Sequence, residues 1–325
     1  MRINYEFAIL CFMSINIILL AILLYVRNQS KETIKNLNEK TPDNSTVLNL
    51  EKEPLLINKG IINCRNNCYA SSVFQCINSV ETFKEYFTKI LDENKPVSFE
   101  IKKILMSLNS TSPINIKSNL TKMSEDPSIK YSMNLFTEND VKEFYELMLS
   151  ATIKEECRIP ADTEFYLFND EFYEKNNLTN SFLIKNCIIL RKGNASNKAP
   201  LSRHCPILDV AYTSDTDLER SFLNSFLKDY DPEPSNNKIL VISIETGGND
   251  NLNVKVTNQI HYNGKCYVLR SFCVNKGGHN GHYIARVVSG EKLIEYDDKN
   301  VKETALDNSK GEGRVRLAFY EIDET

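Results

Sequence analysis

The sequence has no excess of positive charge: 39 Lys and Arg stand against 43 Asp and Glu, giving a formal net charge of -4 and a pI near 5.8. Its basic residues are interspersed with acids, which excludes the electrostatic footprint of a nucleic-acid-binding protein. No two cysteines stand three apart, although there are nine, at positions 11, 64, 68, 76, 157, 187, 205, 266 and 273. An odd number without dense, short spacings in a chain of 325 residues excludes a disulfide scaffold and leaves reduced thiols. There is no internal repeat. Histidine is scarce, so acid–base chemistry near neutral pH must come from His204, His261, His279 or His282.

What is present is a chain that buries a core, with 42% apolar and 25% charged residues, long enough for one large or two ordinary domains. A six-residue flank, 1–6, precedes an uncharged run from Phe7 to Val26, FAILCFMSINIILLAILLYV. As a helix rising about 1.5 Å per residue, it is long enough for a hydrocarbon core of about 30 Å, so a transmembrane helix is expected over 7–26. A cleaved signal peptide would have a shorter apolar region ending in small residues, and no such site follows Tyr25-Val26-Arg27. Arg27, Lys31, Lys35 and Lys40 follow the run and only Arg2 precedes it, which places the body of the chain in the cytosol. Residues 27–54 are polar without apolar periodicity and read as a tether. The folded domain is expected over 55–325.

Within that domain, Cys68–Val80, Phe83–Leu91 and Val141–Leu149 show helical periodicity, the last with Asn139 and Asp140 as candidate caps. Strand-like runs occupy Ser181–Leu190, Pro206–Ala211, Ile239–Ile244, Val254–Tyr262, Tyr267–Val274, Tyr283–Val288, Leu293–Tyr296 and Val315–Glu321. Helices first and a mostly antiparallel sheet later make an α+β fold. Cys64, Cys76, Cys266, Cys273, Phe319 and Tyr320 read individually as core or lining residues.

Cys68 is different, because it ends the polar turn Asn63-Cys64-Arg65-Asn66-Asn67 and opens a helix, where unpaired backbone N–H groups favour a thiolate. A base must take its proton and later return it to a leaving amine. His282 suits this role, since it follows the glycine-containing bend 276–281 and enters a strand, whereas His279 lies in the bend itself. Asp297 follows the next short strand, so a hairpin brings its carboxylate toward His282. Asp298 is a second candidate for that carboxylate. The pattern is that of a cysteine hydrolase.

These segments resemble the ubiquitin-specific protease family of papain-like thiol deubiquitinases. Gly60, Asn63, Asn66, Cys68, Tyr69, Ser72 and Gln75 are similar to its cysteine box; Gly281-His282-Tyr283 and Tyr296-Asp297-Asp298 to its histidine box; Glu138-Asn139-Asp140-Val141-Lys142-Glu143-Phe144 to an intermediate segment. The resemblance implies a helical thumb, an antiparallel β palm and β fingers. It also implies ubiquitin and ubiquitinated proteins as partners, with Cys68 as nucleophile, His282 as base then acid, Asp297 orienting the imidazole, and Asn63 donating to the oxyanion. Arg65 and Asn67 depart from the family's glycine and threonine and predict a bulkier approach to the thiol. Relatives carry zinc in the fingers on two C-x-x-C pairs. Here Cys157, Cys187, His204 and Cys205 lack that spacing, so no metal and no other cofactor is expected. The rival readings are a catalytically weak relative that holds ubiquitin at a membrane, and a lumenal or secreted thiol protease glycosylated at Asn109 or Asn177. The flanking charges suit a mitochondrial outer membrane or endoplasmic reticulum anchor equally.

Overall fold

The computed structural model describes residues 59–323, except 65, 91–92, 131, 164–177, 179–180, 188, 194–201, 206, 213–216, 228–229, 233–236, 247–253, 263, 278–280 and 307–313. All of these lie in one compact unit, Pro54–Thr325. The expected transmembrane helix 7–26 and tether 27–54, as well as Arg65, Asn177 and His279, lie outside the described residues. Among the described residues no helix is long and apolar enough to cross a membrane.

The first half is helical: α1 (Cys68–Asn78), α2 (Glu81–Thr88), α3 (Pro96–Ser107), α4 (Lys117–Met123), α5 (Pro127–Lys130) and α6 (Val141–Cys157). Helix α1 is buried continuously from Tyr69 to Ile77, because it runs between the other helices and the sheet. Phe144 of α6 packs edge-on against Tyr69 and Phe74, with centroids 5.1 and 5.7 Å apart. Helix α6 begins where the Asp140 carboxylate accepts the Lys142 N–H at 2.8 Å, a side-chain N-cap. It runs eight residues beyond the expected Leu149 and stops at Arg158, which turns left-handed at φ 58°. Helix α3 was not legible from periodicity alone. Its Pro96 start is capped from α6 by Glu155, whose carboxylate accepts the Val97 and Ser98 N–H groups at 2.7 and 2.9 Å.

A further helix, α7 (Phe182–Cys187), corrects the strand expected over Ser181–Leu190. The β-prone side chains there are overruled from outside, since Glu156 accepts hydrogen bonds from the Ser181 hydroxyl and the Phe182 N–H at 2.5 and 2.7 Å. Only the end of that stretch is extended, as β1 (Ile189–Gly193), which pairs with β2 (Ser202–Cys205) and β4 (Tyr230–Pro232) in a separate three-stranded sheet.

The large sheet has eight strands. Besides β3 (Leu208–Ala211), β5 (Ile239–Glu245) and β6 (Gln259–Tyr262), it contains β7 (Lys265–Asn275), β8 (Tyr283–Ser289), β9 (Lys292–Asp297), β10 (Asn300–Ala305) and β11 (Arg314–Ile322). Its order is β10-β9-β8-β7-β11-β5-β3, with β6 added to β7; β3 pairs with β5 in parallel and the other pairings are antiparallel. Both faces are covered. Tyr283, Ala285, Leu317 and Phe319 face the helical core, while Ile284, Ala318 and Tyr320 join a second core that includes Phe222 of α8 (Leu218–Leu227). This double burial is why β5 is buried without alternation from Ile239 to Ile244, apolar there except for Ser243. The strand expected from Val254 begins only at Gln259. Before it, Lys255 bonds to the Tyr212 hydroxyl and the Leu218 N–H instead of to a neighbouring strand.

Candidate active site

The site forms where the loop before α1 meets the ends of β8 and β9. Gly60 is left-handed at φ 78°, and a Cβ on it would stand 2.2 Å from the Asp298 carbonyl oxygen, so only glycine fits. The next N–H, of Ile61, donates to that carbonyl at 3.0 Å, and Ile62 donates to Ile114 at 2.8 Å. Asn67 is fully buried; its side-chain oxygen accepts the Cys64 N–H at 2.8 Å and its own N–H donates to Asn63 Oδ1 at 3.3 Å. Asn67 therefore braces the loop from within.

Cys68 is the first residue of α1 and half-buried. Burial pushes its thiol up from the ordinary 9.0, and the Asp298 carboxylate adds to that; the backbone N–H groups of Tyr283, Tyr69 and Cys68 itself oppose the rise without cancelling it. The helix start thus contributes in the expected direction, and burial outweighs it. The Tyr283 contact brings the sulfur against the residue after His282.

His282 Nε2 lies 2.6 Å from Asp297 Oδ1 and 3.9 Å from Asp298 Oδ2. Asp297 ends β9 and pairs with Asn300 across a two-residue turn in which Asp298 adopts φ 54°, a conformation that Asp tolerates better than most residues. The two adjacent carboxylates therefore both reach the site: Asp297 bonds to the imidazole, while Asp298 Oδ2 accepts the Asn63 amide at 3.1 Å. Burial pushes the Asp298 carboxyl up, against the Asn63 hydrogen bond and the His282 charge, with Asp297 pushing the same way as burial. Among the described residues, His282, Asp297 and Asp298 are the one group of such donors close enough to share a cation, within 4.8 Å of one another. Of the finger-region candidates, the side chains of Cys187, His204 and Cys205 lie outside the described parts.

Two tyrosines lock this arrangement to the thumb. Tyr69, after Cys68, donates to the Leu135 carbonyl at 2.9 Å, and Tyr283, after His282, donates to Asp140 Oδ2 at 2.9 Å. Arg316 reaches the same oxygen at 3.2 Å. In the sequence Asp140 stands out as a cap candidate and as part of the segment that resembles the family, not as the partner of Tyr283. Lys276 does not stand out, although its ammonium is 2.8 Å from Glu295 and 3.5 Å from Asp297; a Glu two residues before Asp297, on the same strand face, was the available signal. Cys76 and Cys273 are core residues as expected, with sulfurs 3.5 Å apart, and Cys64 is only partly buried.

Fold and site define a cysteine hydrolase of the ubiquitin-specific protease type. The sequence profile described as Ubiquitin carboxyl-terminal hydrolase matches residues 59–320, and the chain belongs to that family of cysteine-type ubiquitin hydrolases. No curated protein matches it. Solved structures share the fold at low identity. A yeast SAGA DUB module is 17% identical with a TM-score of 0.63, over 83% of this chain and 68% of that one. A SAGA DUB module containing Ubp8 and bound to monoubiquitin is 16% identical with a TM-score of 0.59, over 86% and 73%. An essential yeast splicing factor is 12% identical with a TM-score of 0.59, over 82% and 69%.

Proposed function

We propose that this chain is a thiol-dependent deubiquitinase that hydrolyses peptide and isopeptide bonds at the C-terminal glycine of ubiquitin, from a membrane to which Phe7–Val26 anchors it. The observation that carries the chemistry is the 2.6 Å contact between His282 and Asp297. With Nε2 committed to Asp297, the other imidazole nitrogen is the one available to the thiol. On this reading His282 removes the thiol proton as Cys68 attacks the glycine carbonyl. The imidazolium, steadied by Asp297, then gives that proton to the leaving amine, and water repeats the sequence on the thioester.

The tetrahedral oxyanion is held by the Cys68 backbone N–H and by the Asn63 amide. Asp298 takes one hydrogen of that amide, fixing its direction and leaving the second for the oxyanion. A donor so placed contributes about 3 kcal/mol to the barrier. The ubiquitin-bound module with the same fold supports ubiquitin as the ligand. The domain 55–325, on this reading, is the catalytic unit, and 27–54 spaces it from the bilayer.

The test is turnover of a ubiquitin C-terminal fluorogenic amide by the full chain, with Cys68→Ala and His282→Ala as controls, and alkaline extraction of membranes for the anchor. Release that depends on both residues, from protein that resists extraction, supports the proposal. Ubiquitin binding without release would favour a holding role, and glycans on Asn109 or Asn177 a lumenal one.

A further inference from the structure

We infer that Lys276 is a positioning residue for the His282–Asp297 pair, an inference that rests on the proposed roles of those two side chains. Lys276 touches both partners. Its backbone N–H donates to the His282 carbonyl at 2.8 Å, closing the base of the bend between β7 and β8, and its ammonium stands 3.5 Å from Asp297 Oδ2. The two oxygens of Asp297 are thereby divided: Oδ1 serves the imidazole and Oδ2 faces the lysine. A carboxylate held at one oxygen could rotate about its terminal torsion; held at both, it presents Oδ1 in one direction.

The ammonium itself is held by a buried anion. Glu295 is 2% exposed at its side chain and accepts Lys276 at 2.8 Å, Lys302 at 3.1 Å, and Arg286 through Nε and Nη2 at 2.9 and 2.7 Å. The row crosses four strands: Lys276 follows β7, Arg286 is on β8, Glu295 and Asp297 on β9, and Lys302 on β10. Three cations thus face two carboxylates, all three on Glu295, with Lys276 shared between Glu295 and Asp297. The bend needs such a base because it is tight. A Cβ on Gly281 would stand 1.7 Å from Asn275 Oδ1 and 2.2 Å from the Gly277 carbonyl, so the chain immediately before His282 packs directly on the residues flanking Lys276.

The ammonium also sets how strongly Asp297 acts on the base. The Asp297 carboxylate, 2.6 Å from the imidazole, puts a negative field on the base. Lys276 offsets part of that field. Among the described residues the other charged group that reaches His282 is Asp298, at 3.9 Å, an anion that does not replace a lost cation.

The experiment compares Lys276→Met, Lys276→Gln and Lys276→Arg with the unaltered full chain, following kcat/KM against pH on a ubiquitin C-terminal fluorogenic amide, with thermal denaturation in parallel. For Met and Gln we expect the acid limb to move up by about half a pH unit or more. At neutral pH, kcat should fall about tenfold with KM for ubiquitin unchanged. Arg should restore the limb. Gln keeps a donor toward Glu295 and serves if Met fails to fold. An acid limb that coincides with the unaltered one in a folded Met or Gln variant overturns the inference, as does an Arg variant that shifts like Met. If Cys68→Ala or His282→Ala leaves turnover intact, the proposed roles fail first; if both abolish it and the limb does not move, only the inference fails.

Discussion

The Asp298 carbonyl occupies the space that a Cβ on Gly60 would need, at 2.2 Å, and in the same place it accepts the Ile61 N–H at 3.0 Å. Residues 238 apart in sequence therefore meet backbone to backbone, and the loop carrying Asn63 and Cys68 is registered on the turn carrying Asp297 and Asp298. The contact joins the nucleophile's half of the site to the base's half before any side chain is considered.

Gly60→Ala should break that registration. It combines a left-handed backbone with a clash against main chain that cannot rotate away, so destabilisation of about 2–4 kcal/mol is expected, with turnover falling more than ubiquitin binding. Chemical denaturation and kcat measured on the same preparation check this.

Tyr283 and Asp140 offer a cleaner measurement. Tyr283→Phe removes one hydrogen bond to a carboxylate and should cost about 1.5–3 kcal/mol, whereas Asp140→Ala also removes the α6 cap and the Arg316 partner and should cost more. A double-mutant cycle in urea should give a coupling of at least about 1 kcal/mol, because the two groups touch.

Glu295 predicts how the domain responds to acid. Burial alone would push its carboxyl up, but hydrogen bonds from Lys276, Arg286 and Lys302 outweigh it and hold it down at about 2, from an ordinary 4.5. A depressed folded value means that the stabilisation is fully present above the unfolded value and is lost as pH falls from about 4.5 toward 2. Glu295→Gln should remove about 3 kcal/mol at neutral pH, and stability should then fall less steeply across that window. Denaturation midpoints measured across the same pH range check both.

The raised Cys68 thiol makes a kinetic prediction. Alkylation of the ubiquitin-free protein at Cys68 by iodoacetamide should be slow at neutral pH and continue to climb above pH 9, the ordinary value of a cysteine. A rate that has already reached its plateau at about pH 7 would mean a preformed thiolate and would remove His282 from the deprotonation step.

The sequence made the strands flanking the site legible because β7, β8, β9 and β11 are rich in branched and aromatic residues and bounded by polar turns. It brought Cys68, His282 and Asp297 to notice because nucleophile and base each open a regular element. Helix α7 was hidden because its start is fixed by Glu156, far away in the chain, and β10 because NVKETA is an exposed edge strand with no apolar signature. Asp298 was underrated for a related reason. Only its left-handed backbone, invisible in the residue order, turns its side chain toward Asn63. Lys276 reads as an ordinary loop lysine until β7 and β9 are aligned through β8.

The most direct test is to expose the full chain to a ubiquitin probe carrying a C-terminal electrophile and to map the adduct by mass spectrometry. One covalent ubiquitin is expected, attached at Cys68, lost in Cys68→Ala and strongly slowed in His282→Ala. No adduct, or an adduct on another cysteine that survives Cys68→Ala, would contradict the proposed role of Cys68.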